Sequence, residues 1–177
     1  MPRFLYQHLA VVALAAQSLA ISAAERKTYC ESTEVVVFSC TSRHRVISVC
    51  RSPDLSANAG YLQYRFGTAG KPPEFVYPTE KIHPHEYFKY VSEGGAKWSS
   101  DQLQFSVGAY EYVVFMERAA FDSNGGGVLV LKRSKFASAL VCPREQVTDD
   151  LYSLEKFGIP RTEEKQSVQD ALSKAGL

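Results

Sequence analysis

Along residues 61–66, Leu62, Tyr64 and Phe66 alternate with Tyr61, Gln63 and Arg65. An apolar–polar period of two is what a strand shows when one face packs and the other meets water. The pattern recurs along the chain. Glu34-Val35-Val36-Val37-Phe38-Ser39-Cys40 and Arg45-Val46-Ile47-Ser48-Val49-Cys50 are rich in β-branched residues and flank a polar turn. They read as a hairpin, with Phe38 and Cys40 on one face and Val37 and Ser39 on the other. Residues 74–77, 102–106, 109–116, 128–131 and 136–142 complete eight strands in two groups of four, and Tyr110, Tyr112, Val114 and Met116 share a face. Asp122-Ser123-Asn124-Gly125-Gly126-Gly127 reads as a turn rich in positive-φ capacity.

Nearly every connection is short, so neighbouring strands pair antiparallel. The exception is residues 79–100, which read as a long connection holding one short element at most. The expected fold class is mainly β, an antiparallel barrel or sandwich of about eight strands with short C-terminal helices. Thr148 is placed to cap one helix running through Glu155, and Thr162 to cap another in which Val168 and Leu172 share a side.

The N-terminus sets the compartment. Arg3 precedes an apolar run of about a dozen residues, and Ser22-Ala23-Ala24 follows it, the order of a cleavable signal peptide. The run is short of the roughly 20 residues that a spanning helix needs, so no membrane span is expected after cleavage. The chain divides into a signal peptide at 1–24, a β domain at 25–146 and a C-terminal helical segment at 147–177. Cleavage after residue 24 removes Arg3 and leaves nineteen basic and nineteen acidic residues. A neutral chain lacks the basic footprint of nucleic-acid binding, so no nucleic-acid partner is expected. Cys30, Cys40, Cys50 and Cys142 all remain. In an oxidising compartment they form two disulfides, with three pairings open. Their spacing lacks the close pairs of a zinc site.

The segments Phe38-Ser39-Cys40, Ile47-Ser48-Val49-Cys50, Gly60-Tyr61-Leu62-Gln63-Tyr64-Arg65-Phe66-Gly67 and Pro73-Glu74-Phe75-Val76-Tyr77-Pro78 resemble a set of small uncharacterised exported proteins of proteobacteria. The resemblance implies a periplasmic or secreted bacterial protein, and it implies no activity. Ser106-Val107-Gly108-Ala109-Tyr110 is similar to the Ser-Gly-x-x-Tyr loop of bacterial lysozyme inhibitors, with its Gly one place late. That resemblance implies a loop presented to an enzyme's cleft, with Ser106 and Tyr110 as its contacts.

The candidate sites are few. His83-Pro84-His85-Glu86 is the metal candidate, because two imidazoles two apart on an extended segment point the same way. Glu74, Glu86, Glu111 and Glu117 supply carboxylates for glycoside cleavage, without a motif around any of them. The chain has no Gly-x-Ser-x-Gly elbow and no cofactor fingerprint. The aromatics are more informative, with ten Tyr, ten Phe and one Trp. Tyr61 and Arg65 on an outward strand face, with Tyr87, Tyr90 and Trp98 in the long connection, make a candidate recognition surface. The expectation is an exported envelope protein acting as a non-enzymatic binding or inhibitor-type module. Its partner would be a secreted or envelope protein such as a lysozyme, or a glycan. The alternative is a peptidoglycan- or polysaccharide-acting hydrolase or sugar-binding module.

Overall fold

The computed structural model describes residues 27–119 and 125–176. The segment read as a signal peptide and the Asp122-Ser123-Asn124 part of the glycine-rich turn lie outside the described residues. Among the described residues ten antiparallel strands form two five-stranded sheets that pack as a sandwich. In the first sheet β1 (Val35–Ser42), β2 (Arg45–Arg51), β3 (Leu62–Thr68) and β4 (Phe75–Tyr77) follow chain order. The second holds β5 (Lys89–Gly95), β6 (Trp98–Val107), β7 (Tyr110–Ala119), β8 (Gly126–Lys132) and β9 (Lys135–Cys142), also in order. The chain then returns, and β10 (Val147–Asp149) adds to the first sheet beside β1.

The alternation places the core. Phe38, Ile47, Leu62 and Tyr64 from the first sheet meet Leu103, Phe105, Val114 and Met116 from the second. Val37 joins them instead of facing away with Ser39, because a β-bulge interrupts the β1–β2 register between Val36 and Phe38. Gly126 and Gly127 belong to β8 and not to a turn. A Cβ on Gly127 would lie 2.1 Å from the Leu140 carbonyl oxygen, so glycine is there for close approach of β9. The β8–β9 turn has φ of 49° at Arg133 and 61° at Ser134, the two positive values of a type I′ hairpin.

Each sheet's outer face is covered by a strap. Residues 27–34 cross the first sheet. Ser39 Oγ donates to the Lys27 carbonyl at 3.0 Å, the Tyr29 N–H donates to Ser48 Oγ at 2.9 Å, and Cys30 is bonded to Cys50. This strap explains why Gln63 and Arg65, expected on a wet face, are buried. Residues 160–176 cover the second sheet. The α-helix α1 (Val168–Lys174) sets Val168 and Leu172 on Val113, Phe115, Leu129 and Leu131, as their four-residue spacing predicts. Gln102 and Gln104 on β6 hold the approach to α1, donating to the carbonyls of Gln166 and Glu164 at 2.9 Å each.

Three further sequence expectations are corrected. Residues 79–100 are not a loop, since β5 and the start of β6 fall inside them and pair over Lys89–Gly95. Thr148 caps no helix and lies in β10, with a 3₁₀ helix following at Leu151–Phe157. Thr162 Oγ1 accepts a turn bond from the Glu164 N–H, and α1 starts later, after Ser167. The second disulfide, Cys40–Cys142, joins β1 to the end of β9 and so ties the sheets together. Two disulfides belong to an oxidising, non-cytoplasmic compartment. Among the described residues no helix is long and apolar enough to cross a membrane.

Candidate functional site

β5 pairs with β6 only as far as Lys89 opposite Gln104, so the last residues of β6 run on without that neighbour. A cleft of about 630 Å³ opens beside them. Half-buried Tyr77 and Tyr87 line it, backed by the buried rings of Phe88 and Phe105. Tyr77 stacks on Phe105 at 4.6 Å, and Phe105 stacks on Tyr112 at 4.8 Å, which fixes the ring faces in one column. The polar rim is contributed by Glu86, Lys89, Gln104, Ser106, Glu111, Glu164 and Gln166.

Local structure places each of these groups. Pro84 starts a 3₁₀ turn over Pro84–Glu86, which carries His85 and Glu86 to the mouth. Ser106 and Glu111 sit opposite each other across the β6–β7 hairpin. That hairpin turns at Gly108, whose φ of 59° with a following residue at negative φ gives a type II′ turn. Gln104 is held by Gln102 and the Glu164 backbone, so its amide is a fixed part of the wall. Glu111 is the electrostatically unusual group. Burial pushes its carboxyl above the ordinary range and the Glu164 charge adds to this, against a hydrogen bond from Gln166 and the Lys89 charge.

Of the sequence candidates, the cleft brings together His85, Glu86, Tyr87, Ser106 and Glu111. Tyr110 is on the same hairpin, with its ring 38% exposed and Lys132 Nζ 5.1 Å over it. Ser106 and Tyr110 are both exposed near the hairpin tip but on opposite faces, Ser106 beside Glu111 in this cleft and Tyr110 beside Val107 on the other side. Trp98 is at the far end of β6, with Lys165 Nζ 4.8 Å over its ring. The other aromatic candidates are occupied in the fold. Arg65 makes two 2.6 Å bonds to Glu34, and the Tyr61 hydroxyl donates to the same carboxylate at 2.7 Å. Burial pushes the Glu34 carboxyl up, but bonds from Arg65, the Glu31 backbone and Tyr61 outweigh it and hold the group at about 2. Tyr90 is fully buried and donates to Asp101, which also accepts from Arg118, and Arg118 pairs with Asp149. These groups bridge β5, β6 and β7 to β10 and so support the fold.

His83 and His85 are not on an extended segment, because the 3₁₀ turn intervenes. Their ring centroids are 5.6 Å apart, His83 Nε2 donates to the Ser56 carbonyl at 3.0 Å, and His85 faces Glu86 at 3.7 Å. Among the described residues, the one convergent trio of metal-ligand types is Cys30, Glu34 and Cys50, and its two sulfurs are joined in a disulfide. Glu74 is taken by Arg45 at 2.9 Å, and Glu117 accepts from Ser100 Oγ at 2.9 Å. Glu164, Gln166 and Gln104 were missed by the sequence reading, since none carries a motif and the first two arrive from some 60 residues away along the chain. Comparison with protein-family models, with curated proteins and with solved structures returned no match.

Proposed function

We propose that the protein is an exported binding module of the bacterial envelope, periplasmic or secreted after loss of residues 1–24, and that the cleft beside β6 takes a glycan. One observation carries the reading: the half-buried rings of Tyr77 and Tyr87 line the cleft beside a rim of amides, hydroxyls and carboxylates. Sugars present alternating C–H faces and hydroxyls, and this lining matches both. Glu86, Glu111 and Glu164 make the mouth acidic, which favours neutral or amino-bearing saccharides over polyanionic ones.

A second reading has its own observation. The exposed Ser106 and Tyr110 of the β6–β7 tip support a protein partner of the lysozyme type, bound through the hairpin. Retention of the oxidised protein on purified peptidoglycan, run beside a panel of lysozymes, separates the two. The glycan reading predicts retention that Tyr87→Ala and Glu111→Gln weaken about tenfold or more, while Tyr110→Ala leaves it unchanged. A stoichiometric lysozyme complex lost in Tyr110→Ala would replace the glycan reading, and release of soluble sugar would move the protein to the hydrolases.

A further inference from the structure

A second cleft, about 650 Å³, opens between the two sheets at the end that carries the β1–β2, β6–β7 and β8–β9 turns. Its walls are apolar, with Tyr64, Phe66 and Phe75 from the first sheet and Tyr112, Val130 and Leu140 from the second. It shares no lining residue with the glycan cleft. Size and lining are those of a small-molecule site, in which a few polar groups set the orientation of an apolar ligand.

The polar groups here are cations at the rim. Arg45 lines the cleft from the first sheet with its guanidinium 4.2 Å over Phe66, and Tyr110 lines it from the second under the Lys132 ammonium. Arg43, Lys71 and Arg133 in the adjoining turns and Lys135 at the start of β9 are exposed. Glu74 faces this group and is engaged by Arg45 in two 2.9 Å bonds. In a chain whose formal net charge is +1, this basic pole is a local feature.

We propose that the inter-sheet cleft binds a single-chain amphipathic anion, a free long-chain fatty acid, with its tail between the sheets and its carboxylate at the Lys132 side of the rim. Both halves of the ligand are called for. A polyanion would use the rim and leave the aromatic walls wet, and an uncharged hydrocarbon would gain nothing from the cations. Each methylene withdrawn from water strengthens binding roughly fourfold, and the basic pole draws the anion to the mouth.

The test is titration of the oxidised protein with the fluorescent fatty acid cis-parinaric acid, followed by displacement with palmitate. Saturable one-to-one binding is expected. Ser138 is exposed on β9 and lines the cleft, so Ser138→Trp fills it from a position with room to spare. That variant is expected to bind at least about tenfold more weakly, the loss of fewer than two buried methylenes. Lys132→Glu, at the exposed end of β8, is expected to weaken palmitate about fivefold or more and to leave hexadecanol displacement unchanged. Glu111→Gln is expected to leave both unchanged. The proposal is overturned by absence of saturable binding, by Ser138→Trp binding as well as the parent, or by hexadecanol displacing the probe as well as palmitate. Adsorption to phosphatidylglycerol vesicles without binding of the monomeric acid would overturn it equally.

Discussion

Glu34 shows how one residue governs the first sheet. Its side chain is fully covered, and it accepts from Arg65, Tyr61 and its own turn's Glu31 N–H. Removing one partner of a buried ion pair leaves the other charge uncompensated, a cost of about 3–5 kcal/mol. Glu34→Gln should therefore lower stability by about that amount in urea unfolding. The pH dependence follows from the lowered carboxyl. Its stabilisation is complete above the ordinary value of 4.5 and is lost as pH falls from there towards about 2. The parent should lose stability across that window more steeply than Glu34→Gln. Glu111 has the opposite sign. Its carboxyl is raised, so the charged form opposes folding as pH rises past the ordinary carboxylate value. Glu111→Gln should raise the urea midpoint at pH 7, a small effect at a group this near the surface.

At the scale of elements, α1 is held by little besides Val168 and Leu172. A helix this short has no stability of its own in water and forms because its two apolar residues find a face. Leu172→Asp should release α1 and expose Phe115 and Leu131. Hydrogen exchange would then show loss of protection over α1 with the inner core unchanged. The α1 pairing was legible, because a four-residue spacing is local information. So were the eight strands with alternating patterns, the turns at Gly108 and Arg133, and the face shared by Leu62, Tyr64 and Phe66. β5 was hidden because Ser92, Glu93, Gly94 and Gly95 carry no apolar alternation. It is a strand because β6 supplies its hydrogen bonds on one edge, and the Tyr90 N–H donates to the Pro160 carbonyl at 2.9 Å on the other. β10 was hidden for the same reason, its three residues pairing with β1 over a distance no local pattern encodes.

At the largest scale the described residues form a pair of sheets, each strapped on its outer face, with the Cys40–Cys142 bond between them. Its loop spans 102 residues of sequence against 20 for Cys30–Cys50. On chain-entropy grounds the long loop is worth about 4–5 kcal/mol and the short one about 3 kcal/mol. Replacing Cys40 and Cys142 together by Ser should therefore lower stability more than replacing Cys30 and Cys50, read as the urea midpoint under non-reducing conditions. The candidate site belongs to this scale too. Tyr87, Ser106 and Glu111 were visible singly, but nothing local joined them to Gln104, Glu164 and Gln166. Arg65 and Tyr61 look like an open face in sequence because no local pattern lays residues 27–34 across the first sheet.

Where a saccharide binds is the most direct test of the cleft beside β6. Titrating the isotope-labelled, oxidised protein with a soluble chito-oligosaccharide and mapping backbone amide shifts answers this. Saturable shifts are expected at Tyr87, Lys89, Gln104, Ser106, Glu111 and Gln166, abolished in Tyr87→Ala. Shifts centred on Trp98 and Lys165, or no saturable shifts at millimolar sugar, would contradict the glycan reading.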